Sequence, residues 1–201
     1  MGFQFIGGAL CLDFANTIHD SRAEDNEEEL HAISDLLRWA KEAGLLNSSE
    51  HDRMATDYQR NPRRAAADLS RSIAIRDLLL LTFDAVANGR SVSSERLSEL
   101  NSALEEAPGL LRVRKTSDGI EREWRSVADG LQQILFPILN SAAELLASDR
   151  LGRVSECGAP DCTWLFLDES RNRSRRWCDM SSCGNRMKAR LYYQRSKAAD
   201  Q

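Results

Sequence analysis

Four cysteines crowded into the last 45 residues constrain this 201-residue chain more than any other feature. Cys157, Cys162, Cys178 and Cys183 form C-x4-C-x15-C-x4-C, two like-spaced pairs joined by a loop long enough for a hairpin. Zn²⁺ favours tetrahedral thiolate coordination, and two short Cys turns each deliver two sulfurs from a folded-back chain. A segment of roughly 50 residues with few large apolar side chains is too small to hold itself together by burial. Metal binding supplies the missing folding free energy, on the order of 10 kcal/mol. The competing readings are two disulfides or four unrelated buried thiols, and both depend on compartment. The opening MGFQFIGGALCLDF has no basic leader and carries Asp13 inside its apolar run, so it does not read as a secretory signal. No stretch approaches the roughly 18 to 20 apolar residues of a bilayer span, and no membrane association is expected. A cytoplasmic chain with this spacing is expected to bind one structural Zn²⁺ per molecule. A closed Cys₄ site leaves no coordination position for a catalytic water, which weighs against a zinc hydrolase.

Charge divides the chain at the same place. The whole carries a formal net charge of -4, which by itself argues weakly against a nucleic-acid partner. Residues 150–201, however, hold 11 Lys+Arg against 6 Asp+Glu, a balance of +5, and leave 16 basic and 25 acidic residues to the remainder, a balance of -9. From Arg171 to Lys197 there are nine basic residues and one acidic one, Asp179. Within this stretch RNRSRRWC sets Arg171, Arg173, Arg175 and Arg176 four-in-six, and the following helix pattern adds Arg186, Lys188 and Arg190, interleaved with tyrosines. Such side chains suit phosphate contact and stacking. A Zn(Cys⁻)₄ centre carries about -2, so some of these cations serve it instead, with Arg175, Arg176 and Arg186 as the candidates. The expected partner is DNA, with an RNA or acidic protein behind it.

The first 150 residues are mostly helical by periodicity. Leu30 to Leu46 fits one helix ending at Gly44, and a second is expected to start after Ser48 and Ser49 as caps. Ala65 to Val86 is the longest pattern, and a short helix follows Ser93. Leu110–Lys115 and Ile120–Trp124 alternate around Asp118-Gly119, predicting a hairpin. Val127 to Leu151 is helical again, with Pro137 placed to kink it, and Gly152 marks the boundary. The fold class is therefore mainly α: a helical N-terminal domain with one β-hairpin over residues 1–151, then a small α+β module over 152–201. In that module Trp164–Leu167 reads as a strand, and a final helix after Gly184 has Met187, Leu191 and Gln194 on a face suited to packing on the metal core.

LFLDESRNRSRRWCDMSSCGNRMKAR closely resembles the CGNR zinc finger, named for the tetrapeptide seen here as Cys183, Gly184, Asn185 and Arg186. The resemblance covers about 45 residues, and its ligand positions coincide with the four cysteines. GGALCLDFANT, Gly7 to Thr17, similarly resembles the start of the ABATE domain, which precedes this finger in bacterial proteins regarded as transcriptional regulators. The resemblance implies a helical sensing domain followed by a treble-clef-like finger for DNA. Gly184 is expected to permit a tight turn into the helix, Asn185 to cap backbone groups, and Arg186 to contact phosphate or guanine.

Asp13, Asn16, Arg76 and Trp124 are the candidates for an effector pocket in the helical domain, and Asp13 and Asn16 read equally as buried polar ties between elements. His19, His31 and His51 have no metal spacing, the acidic run Glu24 to Glu29 reads as a solvated loop and helix start, and Cys11 reads as core. Neither a Gly-rich phosphate loop nor a G-x-S-x-G elbow is present. The leading expectation is a DNA-binding transcriptional regulator and not an enzyme. The alternatives are an RNA or protein interaction module, or an enzyme with its site among the helices. A single finger reads few bases, so a homodimer is expected on specificity grounds.

Overall fold

The computed structural model describes residues 2–19, 27–106, 111–116, 119–124 and 130–199. Its centre is the shortest helix, α1 (Leu10–Ala15). Six residues cannot hold helical form in water unaided. Here Cys11, Leu12, Phe14 and Ala15 are fully buried, because α1 is wedged between α4 (Pro62–Ala87) and α6 (Leu131–Leu146). The α4 helix opens with Pro62 at a position where its missing N–H is harmless. Apolar on most of its circumference, α6 buries Ile134, Leu135, Ile138, Leu139, Ala142 and Leu145 and runs continuously through Pro137. Around this centre pack α2 (Ile33–Glu42), α3 (Ser48–Arg60) and α5 (Ser94–Glu105).

Local chemistry sets the boundaries. The cap of α3 is Asn47, one residue before the expected serines: its Oδ1 accepts the Glu50 N–H at 2.9 Å while Glu50 accepts the Asn47 N–H at 2.8 Å. The predicted hairpin forms as β3 (Leu111–Thr116) and β4 (Gly119–Trp124), with Thr116 opposite Gly119. Periodicity missed the two-residue pair β1 (Ile18–His19) and β2 (Glu27–Glu28). Glu28 is no solvated helix start, because its carboxylate is half-buried on the Arg76 guanidinium at 2.5 and 2.7 Å.

After a 3₁₀ turn at Leu151–Arg153, β5 (Val154–Glu156) pairs antiparallel with β6 (Leu165–Leu167), Val154 opposite Leu167. All three β6 side chains are buried, and they alternate. Leu165 and Leu167 enter the large helical core, whereas Phe166 enters a second cluster with Cys157, Ala159, Cys162, Trp164, Cys178 and Cys183. One strand is thus the shared wall of two cores. The chain ends in a π-helical turn, Met180–Gly184, that continues into α7 (Asn185–Ala199).

Candidate zinc centre and arginine loop

The four expected ligands converge. The Sγ atoms of Cys157, Cys162, Cys178 and Cys183 lie within 4.8 Å of one another and all four residues are buried, with Cys162 and Cys178 3.7 Å apart and Cys178 and Cys183 3.6 Å apart. A tetrahedron with Zn–S bonds of about 2.3 Å sets its sulfurs about 3.8 Å apart. The cluster's electrostatics need a cation as well. Hydrogen bonds from Cys162 and Cys178 draw the Cys157 thiol down to about 2, while the same contact pushes Cys162 up to about 12 and Cys178 upward too. Four thiolates coexist here only around a shared positive charge, and the donor set fits one structural Zn²⁺.

Backbone geometry holds the sulfurs in place. The first pair is clamped by Cys157 N–H to the Trp164 carbonyl at 2.9 Å and Gly158 N–H to the Arg176 carbonyl at 2.8 Å. For the second pair, Asp179 caps the π turn by accepting the Ser182 N–H at 2.8 Å, which delivers Cys183 at the root of α7. Gly184 is needed for close approach and not for a left-handed turn, since a Cβ there would lie 2.8 Å from the Met180 sulfur and 3.2 Å from the Trp177 ring. Asn185 donates to the Ser181 carbonyl at 3.2 Å, a backbone bridge of the kind its position suggested.

The basic residues separate into two groups. Arg175 is engaged by the protein itself: its Nε donates to the Trp177 carbonyl, one Nη to the Ile6 and Cys178 carbonyls and the other to that of Leu167, and its guanidinium lies 4.3 Å from the Phe166 ring centre. Arg186 donates to the Cys183 sulfur at 3.2 Å and to Asp161 at 3.1 Å, while Arg190 approaches the same carboxylate at 3.8 Å. The Arg186 contact sets a cation beside a cysteine sulfur, the charge-balancing alternative. By contrast Arg171, Arg173, Arg176 and Lys188 are exposed, and among the described residues none of them forms an ion pair. Arg176 lies 5.3 Å over the Trp177 ring.

Sequence inspection did not single out the residue that shapes this loop, Asp168. It is only 3% exposed, and its two oxygens accept the N–H groups of Ser170 at 2.8 Å and Arg175 at 3.0 Å. Burial opposes its ionisation, but those hydrogen bonds and the Arg175 charge outweigh it and hold the carboxyl below the usual range. Between the two anchors Arg173 adopts a left-handed φ of 49°, a conformation costing about 1 kcal/mol that persists where the surroundings over-determine it.

Of the proposed pocket residues, Asp13, Asn16 and Arg76 each have partners within the protein. Asp13 accepts the Gly7 N–H at 2.7 Å, and its burial raises the carboxyl to about 6. Asn16 pairs with both backbone groups of Leu165, each at 2.8 Å. Arg76 is held by Glu28 and Asp77, and the Trp124 side chain lies outside the described residues. Gly7, Gly8, Asp13 and Asn16 instead build a junction: the Gly7 carbonyl accepts the Leu167 N–H at 2.8 Å, and Gly8, at φ 78°, would place a Cβ 3.2 Å from that of Leu167. A separate apolar groove of about 560 Å³ lies between α2, α3 and α4, lined in part by Ile33, Leu37, Tyr58, Ala65 and Leu69.

No described helix is long and apolar enough to cross a membrane. A comparison with curated proteins finds no match. The model of the CGNR zinc finger matches residues 153–196, and the ABATE model, described as "Putative stress-induced transcription regulator", matches residues 8–149. Since the second match spans more than half of the chain and the first brackets all four converging cysteines, this protein belongs to the ABATE family and ends in a CGNR zinc finger.

Proposed function

We propose that this protein is a transcriptional regulator that binds duplex DNA through the arginine loop of its finger. The reading is carried by one observation. Arg171, Arg173 and Arg176 are exposed, free of ion pairs among the described residues, and set on a loop that the buried Asp168 carboxylate holds in a single shape. A preformed loop of unpaired guanidinium groups meets phosphates with little ordering entropy left to lose. Lys188 on α7 adds a fourth exposed cation with no ion pair among the described residues, while Arg175, Arg186 and Arg190 serve the centre. The helical region then senses a ligand or joins two copies, and the groove between α2, α3 and α4 is the place where an apolar effector fits.

The test is fluorescence anisotropy of the zinc-loaded protein with a labelled duplex across a salt series. Each phosphate contact contributes about -0.9 to the slope of log K against log salt, so neutralising Arg171, Arg173 and Arg176 together to Gln flattens the slope by about 2 to 3. Arg175→Gln instead lowers stability and leaves the slope of the folded protein alone. An unaltered slope in the triple variant, or preferential competition by single-stranded RNA or an acidic protein, defeats the reading.

A further inference from the structure

The last helix packs through its root. Met187 rests on the cysteine cluster, but every described side chain from Lys188 through Ser196 is exposed, including Leu191 at 48% and Tyr192 at 69%. The expectation that Leu191 and Gln194 pack on the metal core is not met. A helix of 15 residues whose described side chains beyond Met187 are exposed is marginal in water by itself, so α7 is a surface prepared for a partner.

Charge selects the partner. Between Met180 and Ala199 the chain has five basic residues and no acidic one. A second α7 would bring like charge against like, whereas a polyanion is complementary. Asp161 holds Arg186 and Arg190 on one flank. That fixes the helix's rotation about its axis and leaves Lys188, Leu191 and Tyr192, spaced i, i+3 and i+4, on the other flank. A helix about 10 to 12 Å across fits the major groove, about 12 Å wide, where an apolar side chain meets the thymine methyl and polar tips reach base edges. From this we infer that α7 is the sequence-reading element, seated in the DNA major groove through Lys188, Leu191 and Tyr192, while the arginine loop grips the backbone. This rests on the DNA-binding reading and assigns the two parts different work.

The experiment selects preferred duplexes from a randomised pool with the full-length zinc-loaded protein, then measures anisotropy on a preferred and a scrambled duplex. Leu191→Ala with Tyr192→Ala changes exposed helix positions to the best helix former and keeps the fold. The double variant is expected to lose about tenfold in the ratio of preferred to scrambled affinity while scrambled binding changes less than about twofold. In hydrogen exchange, amides 188–196 gain protection when duplex is added. A preference that survives the double variant, or a wild type with no preference at all, overturns the assignment of α7 and leaves the arginine loop reading standing. Protection that rises with protein concentration alone, or with anionic vesicles and not duplex, also overturns it. Failure of the wild type to bind any duplex removes both readings together.

Discussion

The helical core and the zinc centre each enclose an arginine, and they treat it in opposite ways. Arg76, 2% exposed, is neutralised by the carboxylates of Glu28 and Asp77. The Arg175 guanidinium meets backbone carbonyls and the Phe166 ring, with the Asp168 carboxylate near enough to feel its charge but no ion pair formed among the described residues. An apolar core tolerates a cation only with its counter-charge beside it. A Zn(Cys⁻)₄ centre has a charge of about -2 and needs the reverse. Held by different forces, the two regions set different rules for the same side chain. Counting arginines in the finger therefore overstates the charge it leaves exposed.

The contrast breaks most sharply at the metal. Chelating zinc, or Cys178→Ser, removes free energy on the order of 10 kcal/mol from the finger. Circular dichroism should retain most of the helical signal, with zinc lost stoichiometrically and the midpoint of thermal unfolding lowered, because β6 also walls the helical core. An unchanged midpoint would mean the two cores are independent. The junction gives the next effect. Asn16→Ala orphans the buried N–H and C=O of Leu165 and should cost about 2 to 4 kcal/mol in urea unfolding. Asn16→Ala at under about 0.5 kcal/mol would show that the junction carries no energy. The smallest effect is in pH. The folded Asp13 carboxyl sits at about 6 against an ordinary 3.8, so the folded state binds its proton more tightly. That contribution is complete below about 3.8 and is lost as pH rises through about 6. Relative to Asp13→Asn, the wild type should lose up to about 2 kcal/mol between pH 4 and 6, and parallel pH profiles would remove Asp13 as a strained junction group.

What was legible in the sequence follows from how local each interaction is. Cysteine spacing announces a metal because each ligand pair is a short turn, and the Asp-Gly hairpin and the long helices come from nearest-neighbour rules. Asn16 reads as a pocket residue or a buried tie, and the sequence cannot choose because its partner, Leu165, lies 149 positions away. Asp168 belongs to no ligand motif. Its importance lies in burial, which no spacing reveals. Arg175 and Arg173 are neighbours of one type in one motif, and only the packing of Phe166 and the Ile6 carbonyl separates a structural arginine from an exposed one.

The alternation of β6, two leucines to one side and a phenylalanine to the other, also governs the order of events during synthesis. Asn16 leaves the ribosome early and Leu165 follows 149 residues later, a wait of about 10 to 30 seconds at ordinary elongation rates. Until then α1 can pack on α4 and α6 but not on β6. Closure of that face waits for the β6 segment, so the wall shared by the two cores is added late in synthesis.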